Sequence, residues 1–243
     1  HCHEKKIAVH VYGGGSSVTQ GLSCPGGGVI LVMNTHMNRV IEFNETNHTI
    51  TVESGMMGPV YEDMLNRAPE VFQAGGSYTG GHFPQSFEHS SVGGWIVTLG
   101  SGQASSYYGD ACDLVISQTW VSPGGTFKTH DYPATATGPK LNDIMKGSEG
   151  CFGVLVAITM KIFPFSPETA RPFSFMFPGF SPALCAARQI SQAGCGMPSI
   201  LRVADPEETD IAMKMYGIEN TVLDRFMKLR GLLPMSRCLM IGS

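Results

Sequence analysis

Sixteen consecutive residues, Gly80-Gly-His-Phe-Pro-Gln-Ser-Phe-Glu-His-Ser-Ser-Val-Gly-Gly-Trp95, hold four glycines, three serines and two histidines. Hydroxyls and imidazoles at this density, with glycines where a bulky group must approach, suit a ligand wrap better than a core element. Two other glycine-centred segments flank it, Tyr12-Gly-Gly-Gly-Ser-Ser-Val18 and Gly147-Ser-Glu-Gly-Cys-Phe-Gly-Val154. Consecutive small residues can turn several N–H groups inward as a nest for a pyrophosphate, and Ser16 and Ser17 add hydroxyl donors. Three such loops in one chain point to a long, phosphate-bearing cofactor held mainly by backbone. Each loop taken alone also has a plainer reading: a glycine-rich turn, a polar loop bonded to itself, or a β-bulge.

Other chemistries are excluded by spacing. The Rossmann fingerprint needs a third glycine, an immediate helix and an acid about 20 residues on. Here Val18 stands at the third glycine, and Gln20-Gly-Leu-Ser-Cys-Pro-Gly-Gly-Gly28 cannot be a helix. No Gly-x-x-x-x-Gly-Lys-Ser/Thr, His-Glu-x-x-His, Gly-x-Ser-x-Gly or metal-ligand cluster occurs, so no metal is expected. His82 and His89 are candidates for a general base or a ring neighbour, although a lone loop histidine is more often a bystander. The seven cysteines lie singly, without Cys-x-x-Cys, and read as reduced, buried thiols of a reducing compartment.

The elements that must position these loops follow from pattern. Ile7–Val11 reads as a strand, followed by three consecutive strands over 29–34, 39–43 and 49–53, with hairpin turn chemistry at Asn44–Asn47. Gly58-Pro59 opens a short helix to Arg67. Leu114–Val121 and Thr126–Thr129 form a hairpin across Ser122-Pro-Gly-Gly125, and 153–162 is a long strand. A proline-bearing stretch, Phe163–Pro172, marks a domain boundary. Beyond it, Ser181-Pro182, Asp205 and Asn220-Thr221 cap three helices, and Cys238–Ser243 reads as a strand stopped part-way. The chain opens almost on a strand and reads as a fragment of a longer protein.

Composition is that of a folded chain, 42% hydrophobic and 15% charged over 243 residues. A net charge of −4 gives no footprint for nucleic acid, and no apolar run is long enough to span a bilayer. The polar N-terminus is no signal sequence, and the expectation is a cytoplasmic protein.

Taken in order, the three loops resemble the vanillyl-alcohol oxidase and p-cresol methylhydroxylase type of FAD-binding protein. The match is nearest to the alkyldihydroxyacetonephosphate synthase branch and bacterial FAD-linked oxidases. Residues 81–95, running on to Ser101-Gly102 and Tyr108-Gly109, carry it most specifically, with Ala136–Leu141 and Gly147–Val154 in support. The resemblance covers residues 7–165 strongly and continues more weakly to Asp205. It implies an α+β fold: an FAD-binding domain over 1–165, lacking its first βαβ unit, and the truncated start of a ferredoxin-like cap domain over 166–243.

By that resemblance FAD is cradled by Val11, Tyr12, Gly13, Gly14, Gly15, Ser16, Ser17 and Val18. A second group comprises Gln85, Ser86, Phe87, Glu88, His89, Ser90 and Ser91, with Gly93 and Gly94. Thr98, Leu99, Gly100 and Ser101 follow, and Glu149, Gly150, Cys151, Phe152, Gly153, Val154 and Leu155 complete the set. Related enzymes with covalent flavin attach it through a loop histidine. Gly13–Ser17 has none, which implies noncovalent FAD. Leu99 stands where the synthase branch usually carries arginine. The branch's catalytic tyrosine and histidines belong to segments outside these residues, so no catalytic residue is placed.

The expected activity is an FAD-dependent oxidoreductase acting on a small hydroxy acid or alcohol. One alternative is an ether-lipid synthase-type transferase, which exchanges acyl for alkyl. Another is a flavin-binding fragment inactive alone. The partner expected is a small-molecule substrate, with a homodimer as one candidate assembly.

Overall fold

The computed structural model describes residues 1–132 and 134–243. The chain divides into two compact units, His1–Ser166 and Pro167–Ser243, with the break inside the proline-bearing stretch. Unit 1 opens with α1 (Cys2–Lys5), β1 (Val9–Tyr12), β2 (Val29–Val32), β3 (Val40–Asn44) and β4 (Thr49–Glu53). It continues through α2 (Gly58–Asn66), α3 (Ala68–Val71), β5 (Tyr78–Thr79), α4 (Val92–Val97) and α5 (Ser105–Tyr108). The rest is β6 (Val115–Ser122), β7 (Gly125–Lys128), α6 (Leu141–Met145), β8 (Val154–Lys161) and β9 (Phe163–Pro164).

Five strands form one antiparallel sheet in the order β3-β4-β8-β6-β7. The β3–β4 turn closes as its polar residues predict: Asn47 N–H donates to Asn44 Oδ1 at 2.9 Å, and His48 takes φ +50°. β6 and β7 turn through Pro123-Gly124, with Ser122 paired to Gly125. Between the central strands, Thr159 Oγ1 shares hydrogen bonds with Thr51 Oγ1 and Ser117 Oγ, each at 2.9 Å. The hydroxyls thereby satisfy one another inside the sheet. One face packs Ile50, Val52, Trp120, Leu155 and Ile158 into a core completed by Tyr61 and Leu65 of α2 and Trp95 and Ile96 of α4.

Several expectations are corrected. The three strands after β1 do not share a sheet, because β2 pairs parallel with β1 (Val9↔Val29 to Tyr12↔Val32). A parallel pair needs a long crossover, and residues 13–28 supply it. The 80–95 stretch is not a loop wrapped on the surface. It holds a 3-10 turn, Phe87–His89, and then α4, whose N-cap Ser91 accepts from Gly94 N–H at 3.2 Å. Val92, Trp95 and Ile96 are buried, so hydrophobic burial on one side of a glycine-rich helix overrides its polar composition. The cysteines are all free, but only Cys238 is buried, while Cys151, Cys185 and Cys195 are exposed.

Unit 2 is a three-stranded antiparallel sheet in the order β10-β12-β11, from β10 (Phe173–Phe177), β11 (Leu201–Val203) and β12 (Cys238–Gly242). The apolar run at 238–242 is its central strand. The helices are α7 (Phe180–Gln192), α8 (Pro206–Met215) and α9 (Val222–Leu229). Asp205 and Thr221 cap α8 and α9, accepting from Glu208 N–H at 2.8 Å and Asp224 N–H at 3.4 Å. Ser181 caps nothing: α7 begins one residue earlier, after Gly179, and Ser181 lies within its first turn. No helix among the described residues is long and apolar enough to cross a membrane.

Candidate cofactor site

β1 delivers the chain to Gly13 at the rim of a cavity of about 440 Å3 in unit 1. From the first predicted segment Val11, Gly13, Gly14, Gly15, Ser16, Ser17 and Val18 line it. Tyr12 does not; its ring packs where a Cβ on Gly15 would fall. From the second, Ser86, Ser90, Ser91, Gly93 and Gly94 line the cavity. Gln85, Phe87, Glu88 and His89 stand outside the lining, and the Phe87 ring stacks on Trp95, centroids 6.2 Å apart.

Thr98 and Gly100 line it too. Leu99 is exposed at φ +54°, and Ser101 turns away to donate to Asp110 Oδ1 at 2.8 Å. The last segment contributes Glu149, Gly150, Gly153 and Leu155, whereas Cys151 and Phe152 face solvent and Val154 is absent from the wall. Sequence reasoning missed His10 and Val9 on β1, Ser54 after β4, Pro84, and the apolar wall of Met33, Trp95 and Val97. Pro84 is adjacent to a predicted segment. Ser54 and Met33 carry no local signal, since long-range packing brings them here.

The loops are tied to one another through α4. Gly147 N–H donates to Ile96 C=O at 3.1 Å and Glu149 N–H to Val97 C=O at 3.2 Å, hanging the 147–153 loop from that helix. Upstream of that loop, Asn142 Nδ2 donates to Ile116 C=O at 2.6 Å, and its Oδ1 accepts from Gln118 Nε2 at 2.9 Å and Thr129 Oγ1 at 2.7 Å. This buried polar network locks α6 to β6.

The donor set has one decisive property. Among the described residues, none of the N–H groups of Gly13, Gly14, Gly15, Ser16 or Ser17 has a protein acceptor. At the start of α4 the opposite holds. Val92, Gly93 and Gly94 N–H are already engaged by Met56 C=O, Ser54 C=O and Ser91 Oγ. The unpaired N–H groups of the wall thus include all five of the 13–17 turn. His10 and Glu149 are the ionisable residues of the lining, and neither lysine nor arginine belongs to it. An anion here is held by backbone dipoles and hydroxyls rather than by a cation.

Neither predicted histidine enters the cavity. His89 ends the 3-10 turn, exposed, with its carbonyl against Gly14. His82 is 2% exposed, lies against Trp95 with ring centroids 4.9 Å apart, and has no partner for either nitrogen. Burial pushes its pKa down to about 4, with Asp110 pulling weakly the other way. A histidine kept neutral on folding stabilises fully above its unfolded pKa, and that stability is lost as pH falls from about 6.5 through 4. The shift corresponds to roughly 3 kcal/mol. The urea midpoint of the wild type should fall steeply from pH 7 to pH 4.5, and His82→Phe should flatten that slope. Equal slopes in both proteins would remove His82 as its source.

The fold and the donor set together define a domain of the dinucleotide-cofactor type. The chain belongs to the FAD-binding domain family, which it matches over residues 1–130. It is 34% identical over 205 residues to alkyldihydroxyacetonephosphate synthase of Caenorhabditis elegans, covering 83% of this chain and 33% of that protein. It is 28% identical over 166 residues to D-lactate dehydrogenase of Anaerostipes hadrus, covering 67% and 33%. A solved alkyldihydroxyacetonephosphate synthase superposes with TM-score 0.85 at 29% identity, covering 99% of this chain and 43% of that one. The chain spans about a third of the length of the curated relatives it matches. Its cofactor is FAD, and the residues present fit it: unpartnered N–H groups for phosphate, the Ser86 hydroxyl, and an apolar wall for a flat ring.

Proposed function

We propose that the protein of which this chain is part is an FAD-dependent oxidoreductase that oxidises a small hydroxy acid or alcohol, with its flavin held noncovalently. The reading rests on the likeness to hydroxy-acid dehydrogenases, together with Leu99, exposed beside the cavity-lining Thr98 and Gly100, at the position where the resembled synthase branch usually has arginine.

Bound FAD supplies a two-electron acceptor. The chain's own part is to hold and orient. The 13–17 N–H groups fix the phosphate end, while Trp95, Val97 and Leu155 exclude water from one wall. His10 is the imidazole on the lining, within the same wall as the free N–H donors. With Glu149, it is one of the two lining groups able to move a proton there.

A second reading, a transferase of ether-lipid synthesis, is favoured by the 34% identity and the 0.85 superposition. Anaerobic titration of the flavin-loaded chain with 2-hydroxy acids separates the readings. Bleaching of the visible flavin band is the expected outcome. In a parallel incubation with an acyl-bearing substrate and a fatty alcohol, release of the carboxylate with ether formation and no bleaching would replace the first reading by the second, and a flavin inert in both would leave a binding module. Heat or acid precipitation should release all colour to the supernatant; colour that stays with the pellet would contradict noncovalent attachment.

A further inference from the structure

Ser54 lies just past β4, and its backbone is clamped on both sides. Its N–H donates to Val156 C=O at 3.0 Å, and its C=O accepts from Gly93 N–H at 2.8 Å. Gly93 packs so closely that a Cβ there would fall 2.6 Å from Ser54 Cβ, which closes that flank. The residue is 4% exposed and lines the cavity. Its hydroxyl is buried and has no hydrogen-bond partner among the described residues. The neighbouring wall hydroxyls differ: Ser90 Oγ accepts from Trp95 Nε1 at 2.7 Å, and Ser91 Oγ accepts from Gly94 N–H at 3.2 Å.

A buried hydroxyl without a partner is disfavoured unless a ligand completes it. Flanked by the start of α4 and lining the same cavity as the Gly13–Ser17 turn, it meets a ligand rich in oxygen acceptors. We propose that Ser54 is an FAD-binding residue whose Oγ–H donates a hydrogen bond to an oxygen of the cofactor. The bond adds a side-chain donor to a site otherwise dominated by backbone N–H groups. It also links cofactor occupancy to the β4–β8–α4 junction, because Ser54 is held by both Val156 and Gly93.

The proposal makes two effects of opposite sign. Ser54→Ala removes a hydroxyl that only bound FAD satisfies. The apo chain should therefore melt at a higher temperature than wild type, while FAD affinity falls about tenfold. Titration of each apo chain with FAD, followed by flavin fluorescence quenching, gives the affinities; thermal unfolding with and without FAD gives the two melting temperatures. An unchanged FAD affinity in Ser54→Ala overturns the proposal. So does a drop in the apo melting temperature alongside the affinity, which would mark a structural role. A wild-type chain that takes up FAD while the variant matches it leaves the cofactor assignment standing, whereas a wild-type chain that takes up none overturns both.

Discussion

Gly14→Val should abolish flavin retention, and even Gly14→Ala should cost about a hundredfold in affinity. A Cβ on Gly14 would collide with the carbonyl oxygen of His89 and come within 2.9 Å of Ser90 Cα. Those are backbone atoms of the facing segment, so no side-chain rotation relieves the overlap. Either the 13–17 turn or the 86–91 segment must move, and both line the cavity. Overpacking of this kind costs on the order of 3 kcal/mol, which is about a hundredfold in binding. Gly150 gives a built-in contrast. A Cβ there has only Gly153 O and Val11 Cγ2 near it, each at 4.0 Å, but φ is +90°. Gly150→Ala therefore suffers backbone strain, on the order of 1–2 kcal/mol, without displacing a neighbour. The flavin-to-protein ratio after gel filtration, with circular dichroism to confirm folding, should rank wild type above Gly150→Ala and Gly150→Ala well above Gly14→Ala. A Gly14→Val protein that stays fully yellow would sink the backbone-cradle argument.

Arg237→Ala should destabilise unit 2 by about 3–5 kcal/mol. The guanidinium is 2% exposed, with Nε donating to Asp210 Oδ1 at 2.9 Å and Nη1 to Asp224 Oδ1 at 2.6 Å. Asp224 is fully buried, and it also takes Lys228 Nζ at 2.7 Å and Asn220 N–H at 2.9 Å. The hydrogen bonds from Lys228 and Arg237 hold its carboxyl well below the usual carboxylate range. A carboxylate lowered in this way stabilises the fold at neutral pH, and that contribution is lost only as pH drops below the ordinary carboxylate range. Removing Arg237 leaves both Asp224 and Asp210 short of a partner, and the loss is a large part of a typical domain's stability. Hydrogen exchange along β12, which Arg237 directly precedes, should lose protection in Arg237→Ala. Arg237→Lys should lie between, since an ammonium keeps the charge but cannot reach both carboxylates in the same fork. Unchanged protection in Arg237→Ala would show that the cluster adds nothing to the fold.

Much of this molecule was legible in its residues because the deciding interactions are short-range. Asn44–Asn47 specifies a turn that its own side chain closes, Asp205 and Thr221 cap the helices they precede, and Gly13–Ser17 forms a turn with its N–H groups unpaired. Each outcome depends on a handful of neighbouring atoms, and composition reports those directly. The order of the loops was enough to indicate an FAD-binding domain. Other features belong to tertiary structure alone. β2 leaves its sequence neighbours to pair with β1, the 80–95 segment turns its apolar side into the core, and most cysteines stay accessible. His10 within β1, Met33 just after β2 and Ser54 just after β4 join one cavity wall. Strand partnering, burial and wall membership depend on contacts between residues tens of positions apart, and a local pattern of side chains does not encode which distant surface it will meet.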